Sequence, residues 1–244
     1  MASTRGQRVR GLRALANISW LTTRQLEALA GSMTVTRHEK RSTIFSDKSS
    51  SESAYILFSG VARVTCDNRK GRRTTVIILS PGLVPAFPNA VAGITYNFRC
   101  EAVTSCEVAT IGLNSFMKIC LGIGSAAFKL MSDSFLGRWD RVHLRCSNLI
   151  GCTLEERLVL VLLDLIENFG VPIRGGGVRL SIPVRHRDLA DLVGATRPRV
   201  TERLHEFTRK ELISQQDQRF VVDPEGLKSF LIEAQGEGLS GELL

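Results

Sequence analysis

The chain has 244 residues, 43% of them hydrophobic and 23% charged, which supports an ordinary buried core in one large or two ordinary domains. Its longest apolar runs, such as Leu158–Leu163 and Val76–Leu79, fall far short of a bilayer span, and no apolar signal core follows the arginines between Met1 and Arg13. A cytoplasmic location is therefore expected. The formal net charge of +8 points to a polyanionic partner, although charge alone is a weak guide. Six cysteines are scattered along the chain with no Cys-x-x-Cys pair, so reduced thiols are expected rather than a metal or disulfide framework.

Up to about Gly31 the chain reads as helical. Leu15, Ile18, Leu21, Leu26 and Leu29 fall at helix-like spacing, and Thr22 or Thr23 suits an N-cap. From Thr34 to Leu113 short β-rich runs alternate with turns. Examples are Ala54–Phe58 before Ser59-Gly60, Val61–Cys66 before Asp67–Gly71, Thr74–Leu79 before Pro81-Gly82, and Cys106–Ile111 before Gly112. That rhythm predicts an antiparallel barrel or jelly roll. A long helix is expected from Ser115 to Leu149. Leu121, Phe128, Phe135, Val142 and Leu149 recur at intervals of seven, with Trp139 and Cys146 completing part of an a/d seam. The seam suits a partner helix from a second subunit, and Gly122, Gly124 and Gly137 weaken or bend its course. The other reading of the seam is packing on the chain's own barrel.

A third regime opens at Thr153. Thr153-Leu-Glu-Glu156 has the form of a capping box, followed by an apolar helix to Phe169 and a stop at Gly170. After Gly175–Gly177 comes a strand over Val178–Pro183. Two short helices, Arg187–Val193 and Arg197–Lys210, flank Gly194-Ala195-Thr196. A hairpin of Leu212–Gln215 and Arg219–Val222 follows, and Asp223-Pro224 begins a last helix. The expected fold class is thus α+β: a β-roll over 15–114, a dimerisation helix over 115–150 and a winged helix-turn-helix over 151–235.

Helix, glycine turn, helix is the helix-turn-helix pattern. Leu189, Leu192 and Val193 of the first helix, and Val200, Leu204 and Phe207 of the second, form the inward stripe. Opposite lie Pro198, Glu202, His205 and Arg209, flanked by Arg197, Arg199, Thr201 and Arg203. Thr196 is a suitable N-cap, and Pro198 is tolerated in the first turn. With Arg187, these ten residues form the candidate DNA-binding set. Arginine grips guanine bidentately, while threonine or glutamate reads other base edges. A solvated amphipathic helix is the plain alternative; the glycine turn, the preceding helix and the following hairpin argue against it.

On these residues the chain resembles the cyclic-AMP receptor protein/fumarate-nitrate regulator (Crp/Fnr) superfamily over about Leu15 to Leu231. The resemblance rests on Tyr55-Ile-Leu-Phe-Ser-Gly60 with Val61 and Val64, Pro81-Gly82, Cys106-Glu-Val-Ala109, Glu156-Arg-Leu158 with Leu162-Leu163 and Phe169-Gly170, and Asp188-Leu-Ala190 with Gly194 and Arg197. It implies a bacterial homodimeric regulator of transcription that places its second helix in the major groove of a palindromic double-stranded operator. Arg197 would contact bases, the hairpin would run along phosphates, and RNA polymerase would be a further partner. Pro198 and Glu202 stand where the family often carries Glu and Arg, so a different operator is expected.

The effector is less legible. Cyclic-nucleotide members of the family pair Gly-Glu with Arg-Ser/Thr, whereas this chain offers Gly82-Leu83 and Tyr96-Asn97, with Arg99 two or three residues out of place. A buried cyclic phosphate without its cation is costly, which argues against cyclic AMP. Leu83, Phe87, Tyr96, Asn97 and Arg99 remain as candidates for some other pocket, and the cofactor stays unknown. The first cysteine, Cys66, comes too late for an N-terminal iron–sulfur cluster, and His38 or His143 is a weak basis for haem. A thiol switch at Cys146 competes with a plain seam residue. The alternative functions are a thiol- or ligand-sensing regulator and a signalling module whose winged helix contacts protein. No nucleophile elbow, His-Glu-x-x-His helix or phosphate-binding loop appears, so no enzyme is expected.

Overall fold

The computed structural model describes residues 4–15, 18, 21–46, 53–67, 71, 73–84, 98–174, 176–217 and 219–235, apart from the side chains of 126, 130, 131, 133–139 and 235. The chain divides into two compact units, Met1–Val142 and His143–Leu244.

The first unit opens with helices α1 (Arg5–Arg13) and α2 (Thr23–Gly31), each started by a threonine capping box, at Thr4 and at Thr22. The N-terminal arginines have a structural use here. Arg8 Nη1 donates to the carbonyls of Ala30 (3.1 Å) and Met33 (2.6 Å), and Arg5 Nη2 donates to that of Glu27 (3.1 Å). These carbonyls belong to the end of α2 and the residues just past it, where the helix runs out of backbone donors.

Among the described residues eight strands follow: β1 (Met33–His38), β2 (Thr43–Phe45), β3 (Ser53–Ser59), β4 (Ala62–Asp67), β5 (Arg73–Leu79), β6 (Gly82–Leu83), β7 (Phe98–Ala102) and β8 (Cys106–Gly112). They pair antiparallel as β1 with β8, β2 with β7, β3 with β6 and β4 with β5. This nesting is that of a single ribbon rolled up as a jelly roll. It yields two four-stranded sheets, β1-β8-β3-β6 and β2-β7-β4-β5.

The continuous apolar run of β3 has a direct cause. Tyr55 and Leu57 join one core, with Phe45, Val64, Ile77, Cys100 and Val108. Ala54 and Ile56 join the other, with Leu12, Leu26, Leu29, Ile111 and Phe116 of β8 and the helices. A strand buried on both faces loses the alternation that marks a half-exposed strand.

The predicted single helix from Ser115 to Leu149 is two helices, α3 (Leu113–Gly122) and α4 (Ser125–Gly151). The break falls at Ile123-Gly124, where Gly124 has φ of 58°, a left-handed conformation that no helix interior tolerates. Leu121 therefore lies in the last turn of α3, outside the helix that carries the rest of the predicted seam.

The second unit takes the end of α4, then α5 (Leu154–Phe169), β9 (Gly170–Pro172), β10 (Val178–Leu180), α6 (His186–Leu192), α7 (Arg197–Arg209), β11 (Ile213–Gln216), β12 (Arg219–Val222) and α8 (Pro224–Gln235). The capping box predicted at Thr153 forms: Glu156 Oε2 accepts from the Thr153 backbone N–H at 2.6 Å, and the Glu156 N–H donates to Thr153 Oγ1 at 3.3 Å. Strands β11-β12-β10-β9 make a small antiparallel sheet. Among the described residues no helix is long and apolar enough to cross a membrane.

Gly60, between β3 and β4, has φ of 87°, and a Cβ there would stand 2.3 Å from the Ser105 carbonyl oxygen. Gly60→Ala adds both a strained conformation and a backbone clash. It is expected to destabilise the first unit by at least roughly 1–3 kcal/mol, read as a lower urea midpoint with an unchanged slope.

Candidate nucleic-acid interface

Burial on one side fixes the orientation of α7. Val200, Leu204 and Phe207 are buried at 0%, 2% and 1% exposure, at the four-then-three spacing of one helix face. Phe207 meets Phe230 of α8 edge-on, with ring centroids 5.4 Å apart. Leu189, Ala190, Leu192 and Val193 are buried from the α6 side. Between the helices, Gly194 has φ of 66°, and a Cβ there would lie 2.6 Å from Leu149 Cδ2 of α4. The turn thus needs glycine for its backbone and for its neighbour.

The opposite face of α7 is open. Arg197, Pro198, Glu202 and His205 are exposed, as are Thr196, Arg199, Arg209 and, on α6, Arg187. Arg197, Pro198, Thr201, Glu202 and His205 line one shallow depression. Five of the ten predicted residues are thus brought together in one depression, and two members of the set, Arg203 and Thr201, have partners that the sequence did not show.

Arg203 is half-exposed and paired along the surface of the unit. Its Nε lies 2.9 Å from Glu155 Oε1 at the start of α5, and its Nη1 lies 2.7 Å from Glu206 Oε2. Those carboxylates, hydrogen-bonded and charged, raise its pKa further and make it a brace between α7 and α5. Thr201 is half-buried, and its Oγ1 lies 2.9 Å from His186 Nδ1. The sequence showed both as polar residues on a polar flank; Glu155 and His186 lie far from them along the chain, which no helical periodicity reveals.

Thr196 stands at the N-cap with φ −83° and ψ 147°, but its side chain makes no capping bond. The Thr196 residue lies on the exposed surface.

The remaining predicted sites separate more widely. Phe128 is 74% exposed and Leu121 79%, and Cys146 is exposed, while Val142 is half-buried. The Phe135 and Trp139 side chains lie outside the described residues. Leu149, 45% exposed, leans on the Gly194 turn as well as facing outward, a use the heptad could not show. Arg145, in the same stretch, binds Asp164 of α5 at 2.6 Å.

Of the candidate effector residues, Phe87, Tyr96 and Asn97 lie outside the described residues, and the other two do not line the barrel interior. Leu83 packs with Ile56 and Ile111 against the helices. Arg99 alternates with Phe98 and Cys100, which face the inter-sheet core, so Arg99 points to the outer face of its sheet. Among the described residues no cluster of His, Cys, Asp and Glu could hold a metal ion. His38 is half-buried on β1, and burial lowers its pKa. The Cys120 thiol is buried and pushed up to about 11, which makes it a poor nucleophile.

Comparison with known proteins agrees with this layout. Residues 35–122 match the cyclic nucleotide-binding domain family and residues 156–230 the Crp-like helix-turn-helix domain. The chain is 25% identical over 212 residues to the global nitrogen regulator of Nostoc sp., covering 86% of this chain and 92% of that one. It is 26% identical over 205 residues to the nitrogen fixation regulation protein FixK of Rhizobium meliloti, covering 82% and 89%. Among solved structures, FixK2 of Bradyrhizobium japonicum superposes with a TM-score of 0.69 at 20% identity over 81% of this chain and 96% of that one. The global regulator CLP of Xanthomonas campestris gives 0.72 at 17% identity over 83% and 99%. With a sensory-type β-roll, a Crp-like reading head and relatives that match both along nearly their whole length, this chain belongs to the Crp/Fnr superfamily of transcription regulators.

Proposed function

We propose that the chain acts as a homodimer in the cytoplasm, binding a two-fold-symmetric operator with one recognition helix in each of two successive major grooves, and that it works by binding rather than catalysis. The observation that carries this reading is the two-sided α7, buried through Val200, Leu204 and Phe207 and presenting Arg197, Pro198, Glu202 and His205 to solvent. A helix so held enters a major groove by its N-terminal residues.

Roles follow from chemistry. Arg197 grips a guanine through O6 and N7, Glu202 accepts from a cytosine amine, and Pro198 offers an apolar contact. Arg187, Thr196, Arg199 and Arg209 serve the phosphates, and His205 lies at the edge of the reading face. Arg203 and Thr201 support the helix instead of touching DNA. RNA polymerase is the further partner by which a bound dimer would act on transcription.

Exposed Leu121 and Phe128, with Cys146 and Leu149 further along, supply the apolar surface for a second copy. An exposed phenylalanine is the kind of large apolar group that association buries. Control by cyclic AMP is not part of the proposal: Leu83 occupies the place of the family's ribose-binding Glu and is buried against helices, and Arg99 lies on the outer face of its sheet.

Selection of genomic fragments by the purified protein, followed by titration at two salt concentrations, tests the reading. A palindromic site bound by a dimer, with affinity falling steeply as salt rises and indifferent to added cyclic AMP, is the expected result. No preference over random DNA would overturn it. Arg197→Ala should weaken operator binding by roughly 1–3 kcal/mol and relax selectivity at one base pair; an equal loss on random DNA would make it a phosphate contact. Phe128→Asp should raise the dimer dissociation constant by at least about tenfold, since burying a phenylalanine contributes ~1.5–3 kcal/mol. Sedimentation at several concentrations reads that change, and an unaltered dimer would move the seam elsewhere.

A further inference from the structure

His186 is the first residue of α6, and three elements of the reading head meet at its ring. Its Nδ1 lies 2.9 Å from Thr201 Oγ1, one turn into α7. Its ring stacks on Phe220 of β12, with centroids 6.0 Å apart and planes 27° from parallel. Phe220 is itself 3% exposed, so the ring rests on a fixed floor in the β11–β12 hairpin, one residue pair from its turn. Burial, and then the charges of Arg197 and His205, hold the His186 pKa below its usual value, which favours the neutral ring. A neutral imidazole has one donor and one acceptor nitrogen, and a hydroxyl can serve either. The contact therefore survives in both tautomers.

The geometry matters because Thr201 shares its depression with Arg197, Pro198, Glu202 and His205. A bond at Thr201 fixes the rotation of α7 about its own axis at the height of the reading residues. Burial of Val200, Leu204 and Phe207 decides which face of α7 turns inward, through contacts that are individually non-directional. A hydrogen bond adds direction.

We propose that His186 is a positioning residue for base reading: through Thr201 it sets the rotation of the recognition helix, and through Phe220 it ties that setting to the hairpin. The inference rests on the DNA-binding reading above and assigns no base contact to His186 itself. It also makes Thr201 a receiver of this bond and not a reader of bases.

The test uses the full-length protein, the selected operator and a random duplex of equal length. His186→Ala, His186→Phe and Thr201→Val should each weaken operator binding roughly tenfold, the scale of one lost hydrogen bond with its partner left in place, while random-DNA affinity stays within about twofold. His186→Phe keeps the packing on Phe220, so its loss cannot be put down to a missing ring. His186→Asn, which can offer a polar atom near the place of Nδ1, should recover most of the discrimination. Combining His186→Ala with Thr201→Val should cost no more than either alone, since both remove one bond.

Operator binding by His186→Phe equal to wild type would overturn the inference. So would an asparagine variant as poor as alanine, additive losses in the double variant, or equal losses on random DNA. Failure of the underlying reading looks different: the unaltered protein would then show no operator preference at either salt concentration.

Discussion

At position 194 the backbone turns left-handed, with φ of 66°, and Leu149 Cδ2 stands where a Cβ would begin. Both facts demand glycine, and together they explain how the reading head is anchored. α6 and α7 can meet at their angle only if the chain reverses within Gly194-Ala195-Thr196, and the reversal is tight enough for the last turns of α4 to pack against it. Arg145 adds a second tie from α4, its guanidinium 2.6 Å from Asp164 of α5, whose carboxylate also accepts from Asn168 Nδ2. The end of α4 is thus joined to both the helix-turn-helix and the helix behind it. Any change in the course of α4 near Leu149 is felt at the turn, because packed side chains transmit displacement and do not absorb it.

The β-roll obeys a different constraint. Its strands pair from the outside in, so that Met33 of β1 meets Ile111 of β8 across most of the unit's sequence. Such long-range pairing is slow to form and rests on residues at the sheet centre. β3 meets that demand with two faces: Tyr55 stacks on Phe45 at 4.8 Å on one, and Ile56 packs on the helices on the other. The outer face of the second sheet is polar, and there Arg63 binds Glu101 at 3.0 Å while Arg73 binds Asp67 at 3.0 Å. Arg99 belongs to this polar face.

Local order was easiest to read. The capping box at Thr153, the glycine at 194, and the stripe of Val200, Leu204 and Phe207 are short-range features, each with a local physical cause. The turn of the hairpin follows too, since Asp217 takes the left-handed conformation, with φ of 51°, that aspartate tolerates. What the sequence hid was partnership at a distance. The heptad assigned Leu121 to a helix that Gly124 ends, and it gave Leu149 one role where packing gives two. The charged flank of α7 gave no sign that Arg203 and Thr201 have side-chain partners of their own, Glu155 and His186, both remote in sequence. Helix periodicity says which side of a helix a residue occupies, not whether another element has already taken its side chain.

The same distinction changes the meaning of the net charge. A total of +8 says little about binding, because several arginines have structural partners: Arg5 and Arg8 on carbonyls near the end of α2, Arg63 and Arg73 on carboxylates of the roll, and Arg145 and Arg203 on those of the second unit. Their charge is offset nearby or their donors already point at protein. Arg197 and Arg199 are exposed in the first turn of α7, Arg187 on α6 and Arg209 at the C-terminal end of α7. At physiological salt a charge acts strongly only within about 8 Å, so the two neighbouring charges of that first turn act together on a phosphate backbone in a way that the same charges spread over the surface would not. The charge that α7 presents is therefore a property of where α7 is held and of which arginines other elements have already engaged.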